Sequence, residues 1–208
     1  ADAMGPFEGY EPNADAMLRV MRKHREAADT IESEFVPEGL LSAAKHSWDE
    51  AVSLGEQHGY RNAQASVLAP TGTIGLMMDC DTTGIEPELA LVKTKKLVGG
   101  GTMQFVNQTV PRALGRLGYD DAQVRDVVAY IAEHNSVQDA PHLRAEDAAV
   151  FDTAMGAQPI HYMGHVRMMA AAQPFISGAI SKTVNMPEHV TVEEVEQLFI
   201  ESWKLGLK

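Results

Sequence analysis

Apolar positions recur at helical spacing over much of the chain, and the recurrence stops wherever glycine, proline or a cluster of turn formers intervenes. Between residues 13 and 32, Met17, Leu18, Met21, Ala28 and Ile31 share one helical face, and Asn13 stands as a candidate cap. Pro37 opens a second helix in which Leu40, Leu41, Ala44, Trp48, Ala51 and Val52 line one side, with Gly59 as the stop. The run Ala65 to Ala69 is short, apolar and closed by Pro70, the pattern of a strand buried in a parallel sheet. Gly72 and Gly75 permit a tight turn after it. Asp79 to Pro87 is crowded with turn formers, Leu89 to Val98 fits a strand or a helix equally, and Gly99, Gly100 and Gly101 end that segment.

Pro111 sits in the first turn of a further helix that Gly118 terminates. Asp120 with Gln123 has the spacing of a capping box, ahead of a stripe formed by Val124, Val127, Val128 and Ile131. The polar stretch Asn135 to Gln158 reads as a surface excursion with one short helix around Ala148 to Met155. His161 to Ala172 is predicted helical, and Ile176 to Val184 has the small and β-branched residues of a second buried strand. Thr191 and Glu194 then form another capping box, for a final helix carrying Val195, Leu198, Phe199 and Trp203 and ending near Gly206. Helices, strand, helices, strand and helix in that order predict α/β architecture with parallel strands and crossover helices.

With 208 residues, 45% hydrophobic and 22% charged, the chain is long and apolar enough to bury a core, so residues 1–208 are expected to form a single domain or part of one. A formal charge of −12 argues against a nucleic-acid partner, because such affinity comes from Lys and Arg replacing counterions. The one cysteine, Cys80, precludes an internal disulfide and points to a reducing compartment, the cytoplasm by default. No apolar run approaches the ~20 residues that span a bilayer, and Ala1 to Tyr10 lacks the signature of a signal peptide, so no membrane partner is expected. The chain opens without an initiator Met and stops just after a helix-ending signal, so both ends read as cuts in a longer polypeptide.

The sharpest chemical feature is Pro70-Thr71-Gly72-Thr73-Ile74, directly after the expected strand. Such a turn can aim several backbone N–H groups at one point, with a following helix adding its positive end and the Thr hydroxyls adding donors, which makes an anion site without Lys or Arg. An ordinary strand-to-helix turn has the same local pattern. The Walker spacing is absent. Cys80 is flanked by Asp79 and Asp81, which disfavour a reactive thiolate, so a structural role is expected. His161 and His165 have the four-residue spacing of a helical metal pair, but no third ligand accompanies them, and no metal site is assigned. Met163, Met168 and Met169 read as core filler, and Lys93, Lys95 and Lys96 as a solvated basic face.

The stretch VLAPTGTIGLMMDCDTTGIEPELALVKTKKLVGGG, Val67 to Gly101, resembles the corresponding stretch of bacterial class II ribonucleotide reductases, as does HYMGHVRMMAAAQPFISGAISKTVNMP, His161 to Pro187. PTGTI, then TGIEP, then AISKTVN in that order is highly specific, and the similarity extends from the leading MGPFEGYEPN to the closing ESWKLGLK. The resemblance implies the C-terminal part of a ten-stranded α/β barrel, helix-rich, in which Pro70, Thr71, Gly72, Thr73 and Ile74 take the phosphates of a ribonucleotide substrate. Gly84, Ile85 and Glu86, with Pro87, match the second signature and are expected either to support the structure or to lie near the nucleotide or cofactor.

For the complete enzyme the resemblance implies adenosylcobalamin, a thiyl radical that attacks the ribose, a dithiol reductant such as thioredoxin, and deoxyribonucleotides made for DNA synthesis; a homodimer is among the assemblies it allows. The family's radical cysteine lies on a loop written N-x-C-x-E, which these 208 residues lack, so the catalytic residues are expected upstream and the chain alone is expected to be inactive. The competing expectation is a non-catalytic phosphate- or nucleotide-binding α/β module.

Overall fold

The computed structural model describes residues 1–96, 99–156 and 159–208, without the side chains of Leu76, Lys95, Lys96, Thr102 and Met103. They fall into two compact units, one of Ala1–Ala69, Val166–Ser181 and Thr191–Lys208, the other of Pro70–His165 and Lys182–Val190.

In the first unit, α1 (Ala14–Asp29) and α2 (Glu38–His58) pack along the stripes their spacing predicts. Met17, Met21 and Val52 form the buried centre, flanked by Tyr10, Trp48, Ala51 and Tyr60. Asn13 precedes α1 as expected, but its side-chain amide donates to Gly9 O at 2.8 Å instead of capping the helix. Pro37 and Gly59 delimit α2, and Gly59 takes the positive φ of 70° that glycine tolerates. Buried His24 donates from Nδ1 to Pro174 O at 2.8 Å, since a carbonyl only accepts.

The two segments expected as buried strands do meet in parallel, Leu68 opposite Ile180, through Gly178 N–H to Ser66 O (2.8 Å), Leu68 N–H to Ala179 O (3.3 Å) and Ser181 N–H to Leu68 O (2.9 Å). The pairing ends there, and Ala65, Val67 and Ala69 are exposed. Helix α7 (Val192–Lys204) has the expected Thr191–Glu194 box, yet of its apolar positions only Leu198 is buried, while Phe199 and Trp203 are 70% and 77% exposed.

The second unit holds α3 (Gly72–Met77), β1 (Val92–Lys96), β2 (Thr102–Val106), α4 (Thr109–Arg116) and α5 (Asp121–His134). Leu91, Val92, Val110, Leu114, Tyr119, Val127, Ile131, Ala140 and Phe151 make its core. Strands β1 and β2 form an antiparallel hairpin with Val92 opposite Val106 and Lys96 opposite Thr102. That resolves Val92–Lys96 in favour of strand and leaves Leu89 to Leu91 as the irregular lead-in; Leu97 and Val98 lie outside the described residues. Asp120 caps α5 through Ala122 N–H and Gln123 N–H, both 2.9 Å from Oδ1.

The stretch from Asn135 onward is no surface excursion: Ala140, Asp147, Phe151, Thr153 and Ala154 are buried, around a 3-10 helix at Ala145–Phe151. Its polar composition hid this because Asp147 enters the interior already satisfied, by Tyr119 Oη at 2.6 Å and Arg144 Nε at 2.7 Å. The remaining helix α6 (Tyr162–Ala172) begins within this unit and ends within the first. Among the described residues the architecture is helix-rich with one small open sheet. No helix among them is long and apolar enough to cross a membrane.

Two glycines of α2 generate opposite predictions. A Cβ on Gly55 would sit 2.0 Å from the Tyr60 ring, whereas one on Gly39 meets nothing within 4 Å. Gly55→Ala is therefore expected to cost about 1–3 kcal/mol by overpacking, and Gly39→Ala to leave stability unchanged or raise it, as read by urea denaturation.

Candidate functional site

The bend at Pro70–Ile74 is built around Thr71, whose φ of 47° is the left-handed conformation that a β-branched residue adopts only at a cost of about 1–3 kcal/mol. Two bonds hold it there. Thr71 O accepts from Gly75 N–H at 2.6 Å, the first bond of α3, and Thr71 Oγ1 accepts from Gly84 N–H at 2.7 Å. The first-turn amides of Gly72, Thr73 and Ile74 have no intrahelical acceptor, as at the start of any α-helix. All five residues of the bend are exposed, and no side chain covers Gly72.

The second signature lies against the first. Gly84, at φ 55°, occupies a turn closed by Glu86 N–H to Thr83 O at 3.1 Å, and the Thr83 methyl lies 3.5 Å from where a Cβ on Gly75 would project. Glu86 turns toward the third signature: its Oε2 is 2.6 Å from Lys182 Nζ, and its Oε1 accepts from Thr183 N–H at 2.7 Å. Lys182 also donates to Thr183 O at 2.7 Å, and its side chain is 1% exposed. PTGTI, TGIEP and the Lys182–Thr183 pair of AISKTVN thus converge in three dimensions. Ile85 is half-buried beside them and makes no side-chain hydrogen bond.

A cleft of about 310 Å³ opens beside these turns, lined among others by Thr82, Thr83, Glu86, Glu88, Thr183 and Asn185. Glu88 is held by Lys93 at 3.0 Å and Asn107 Nδ2 at 2.5 Å, and Lys93 also donates to Asp81 O. Lys93 is therefore half-exposed and paired, not part of a freely solvated basic face; the side chains of Lys95 and Lys96 lie outside the described residues. Hydroxyls, one amide and the paired carboxylates of Glu86 and Glu88 share the lining with Pro87, Leu89 and Ala154, so most of the surface it offers is apolar with a few polar groups set into it.

Sequence reasoning quoted Lys182 only inside a motif and assigned it no role. His165 it weighed only as a metal ligand with His161, and the structure separates the two. His161 is exposed, with Nδ1 accepting from Met163 N–H at 3.2 Å. His165 is 2% exposed with Nε2 unpartnered. No cluster able to hold a metal is found among the described residues. Burial holds the His165 imidazole below its usual pKa, the neighbouring Lys182 charge adds to this, and Glu86 opposes it. Cys80 is exposed, and its N–H donates to Gly75 O at 3.0 Å, so its backbone belongs to the turn after α3.

The bend, its clamp and the neighbouring cleft make a candidate small-ligand site, and comparison with known proteins identifies the family that carries it. The family described as ribonucleotide reductase, barrel domain, matches residues 1–208, and the chain belongs to that family. It is 64% identical, over its full length, to the vitamin B12-dependent ribonucleotide reductase of Streptantibioticus cattleyicolor, covering 35% of that protein. It is 58% identical to that of Streptomyces clavuligerus, again over its full length and covering 22%. The vitamin B12-dependent ribonucleoside-diphosphate reductase of Mycobacterium tuberculosis is 35% identical over 91% of the chain, which covers 26% of that relative. The chain thus spans about a third or less of the length of these relatives.

His165 sets a pH dependence. A group whose pKa is lower folded than unfolded binds fewer protons in the native state, so its contribution to stability is complete above the unfolded value and is lost as pH falls. Stability is expected to decline between about pH 7 and pH 5, and His165→Leu to reduce that slope; equal slopes in denaturant titrations of the two proteins would contradict the assignment.

Proposed function

We propose that this chain is the phosphate-holding, C-terminal part of the catalytic barrel of a vitamin B12-dependent ribonucleoside-diphosphate reductase, an enzyme making deoxyribonucleotides for DNA synthesis in the cytoplasm. Residues 1–208 belong, on this reading, to one barrel domain completed by the rest of a longer protein. Pro70, Thr71, Gly72, Thr73 and Ile74 hold the substrate's terminal phosphates by backbone amides and the Thr hydroxyls, and Gly84, Ile85 and Glu86 stand behind them. The observation that carries the proposal is the exposed first turn of α3: its leading N–H groups have no intrahelical acceptor, and Gly72 presents bare backbone with open space above it.

The cleft lined by Thr82, Thr83, Thr183 and Asn185 then lies on the path of the sugar and base, whose hydroxyls and ring edges match its donors and acceptors. At about 310 Å³ it is of a size to take part of a small ligand. Cobalamin, which the relatives' names imply, is assigned to other parts of the longer protein, where it supplies the radical. This chain's residues bind and orient. The thiols that reduce the ribose, and the dithiol protein of the thioredoxin kind that re-reduces them, are likewise assigned outside it, and the chain alone is expected to be inactive.

Gly72→Val in the intact enzyme tests the assignment. The added side chain meets no protein atom, so the fold is expected to persist, while close approach of phosphate to the bend is blocked. Affinity for a ribonucleoside diphosphate, measured by isothermal titration, is expected to fall at least about tenfold, equivalent to the loss of one charge-assisted hydrogen bond. Unchanged affinity removes the bend from the site, and binding indifferent to base and sugar favours a non-catalytic phosphate-binding module.

A further inference from the structure

The ammonium of Lys182 and the carboxylate of Glu86 are engaged first with each other and with the backbone of Thr183. Lys182 is cationic and adjoins the bend's supporting turn, which invites a role as a phosphate ligand. Its side chain is 1% exposed and already donates to Glu86 Oε2 and Thr183 O, so it has no route to solvent. Glu86, one quarter exposed, has both oxygens engaged, one by Lys182 Nζ and the other by Thr183 N–H. Each carboxylate oxygen already accepts from a protein donor, so the orientation of Glu86 is set by the protein and not by a ligand. Burying such a pair adds little net stability over an apolar pair of the same shape, so stability alone is a weak reason for it. What it does supply is direction.

From Glu86 the connections lead to the bend. Its N–H closes the turn on Thr83 O, which sets Gly84 at φ 55° with its N–H aimed at Thr71 Oγ1, 2.7 Å away. That bond reaches the residue held at φ 47°, and Thr71 in turn starts α3 through Gly75 N–H. We infer that the buried Lys182–Glu86 pair is a positioning device: through the Gly84–Thr71 hydrogen bond it holds the bend in the conformation that presents the amides of Gly72, Thr73 and Ile74. The inference deepens the phosphate-site reading and rests on it for the ligand, but the mechanical claim stands apart: cutting the pair loosens the bend even with nothing bound. Glu86 and Lys182 are positioning residues, acting through Thr71.

Hydrogen exchange of the amides of residues 75–78, which bond back to the bend, in the full chain without ligand, reads the mechanical claim directly, and ADP affinity by isothermal titration reads its consequence. Glu86→Gln keeps the shape and removes the charge. Exchange over 75–78 is expected to speed about three- to tenfold and ADP binding to weaken by a similar factor, the range expected for one neutral hydrogen bond. The paired apolar replacement Glu86→Leu with Lys182→Met separates positioning from stability: its melting temperature is expected to stay near wild type while exchange and affinity remain impaired. Thr71→Ala cuts the last link without touching the pair, so adding Glu86→Gln to it is expected to change exchange no further.

Unaltered exchange in Glu86→Gln, recovery of both readouts in the apolar pair, or additivity with Thr71→Ala each overturns the positioning role. Should Glu86→Gln fail to fold, the apolar pair and Thr71→Ala decide the same question. Wild-type chain that does not bind ADP, with exchange still responding as described, overturns the phosphate-site reading and leaves the positioning role standing.

Discussion

One hydrogen bond sets the geometry of the site: Gly84 N–H to Thr71 Oγ1. A threonine at positive φ departs from its preferred conformation, and a short helix begun on such a residue has little cooperativity of its own. The conformation persists because its surroundings dictate it. The side-chain oxygen is engaged from one direction by the TGIEP turn and the carbonyl from another by Gly75, so the bend is fixed at both ends. The unshared amides at the start of α3 follow from that constraint.

On the proposed reading, the site attracts an anion by a means other than the one that overall charge suggests. The chain is strongly acidic, the bend contains no Lys or Arg, and Lys182 and Lys93 are paired with Glu86 and Glu88. Attraction must come from oriented backbone N–H groups, whose partial charges are fixed in space and need no counterion to be displaced. Such a site recognises a small group by geometry and leaves the surface unsuited to polyanions. Two of the carboxylates that line the cleft, Glu86 and Glu88, are paired with lysines, which lowers the repulsion a bound anion would meet there.

What the sequence made legible was local. Asp120 with Gln123 and Thr191 with Glu194 lie three residues from their partners, and both boxes stand where the spacing put them. Helices α1 and α2 follow the same logic, although Leu40 of the expected stripe is 64% exposed because helical periodicity says which residues align and not how wide the buried face is. Helix α7 shows this more strongly, with Leu198 buried and Trp203 in solvent. Long-range facts were not legible. The hairpin partner of β1 was missed because Gly99–Gly101 read only as a stop, and the burial of Asp147 depended on Tyr119, 28 residues earlier. The bend itself was identified, but the clamp behind it joins Glu86 to Lys182 across 96 residues, a pairing that no local spacing encodes.

The most direct measurement is an amide-resolved NMR titration of the chain with inorganic pyrophosphate. The account predicts saturable shifts led by the N–H resonances of Gly72, Thr73 and Ile74, with Gly84 following because its donor is tied to the same bend. Shifts that gather instead at exposed lysines, or that leave those three amides untouched at saturation, would contradict it.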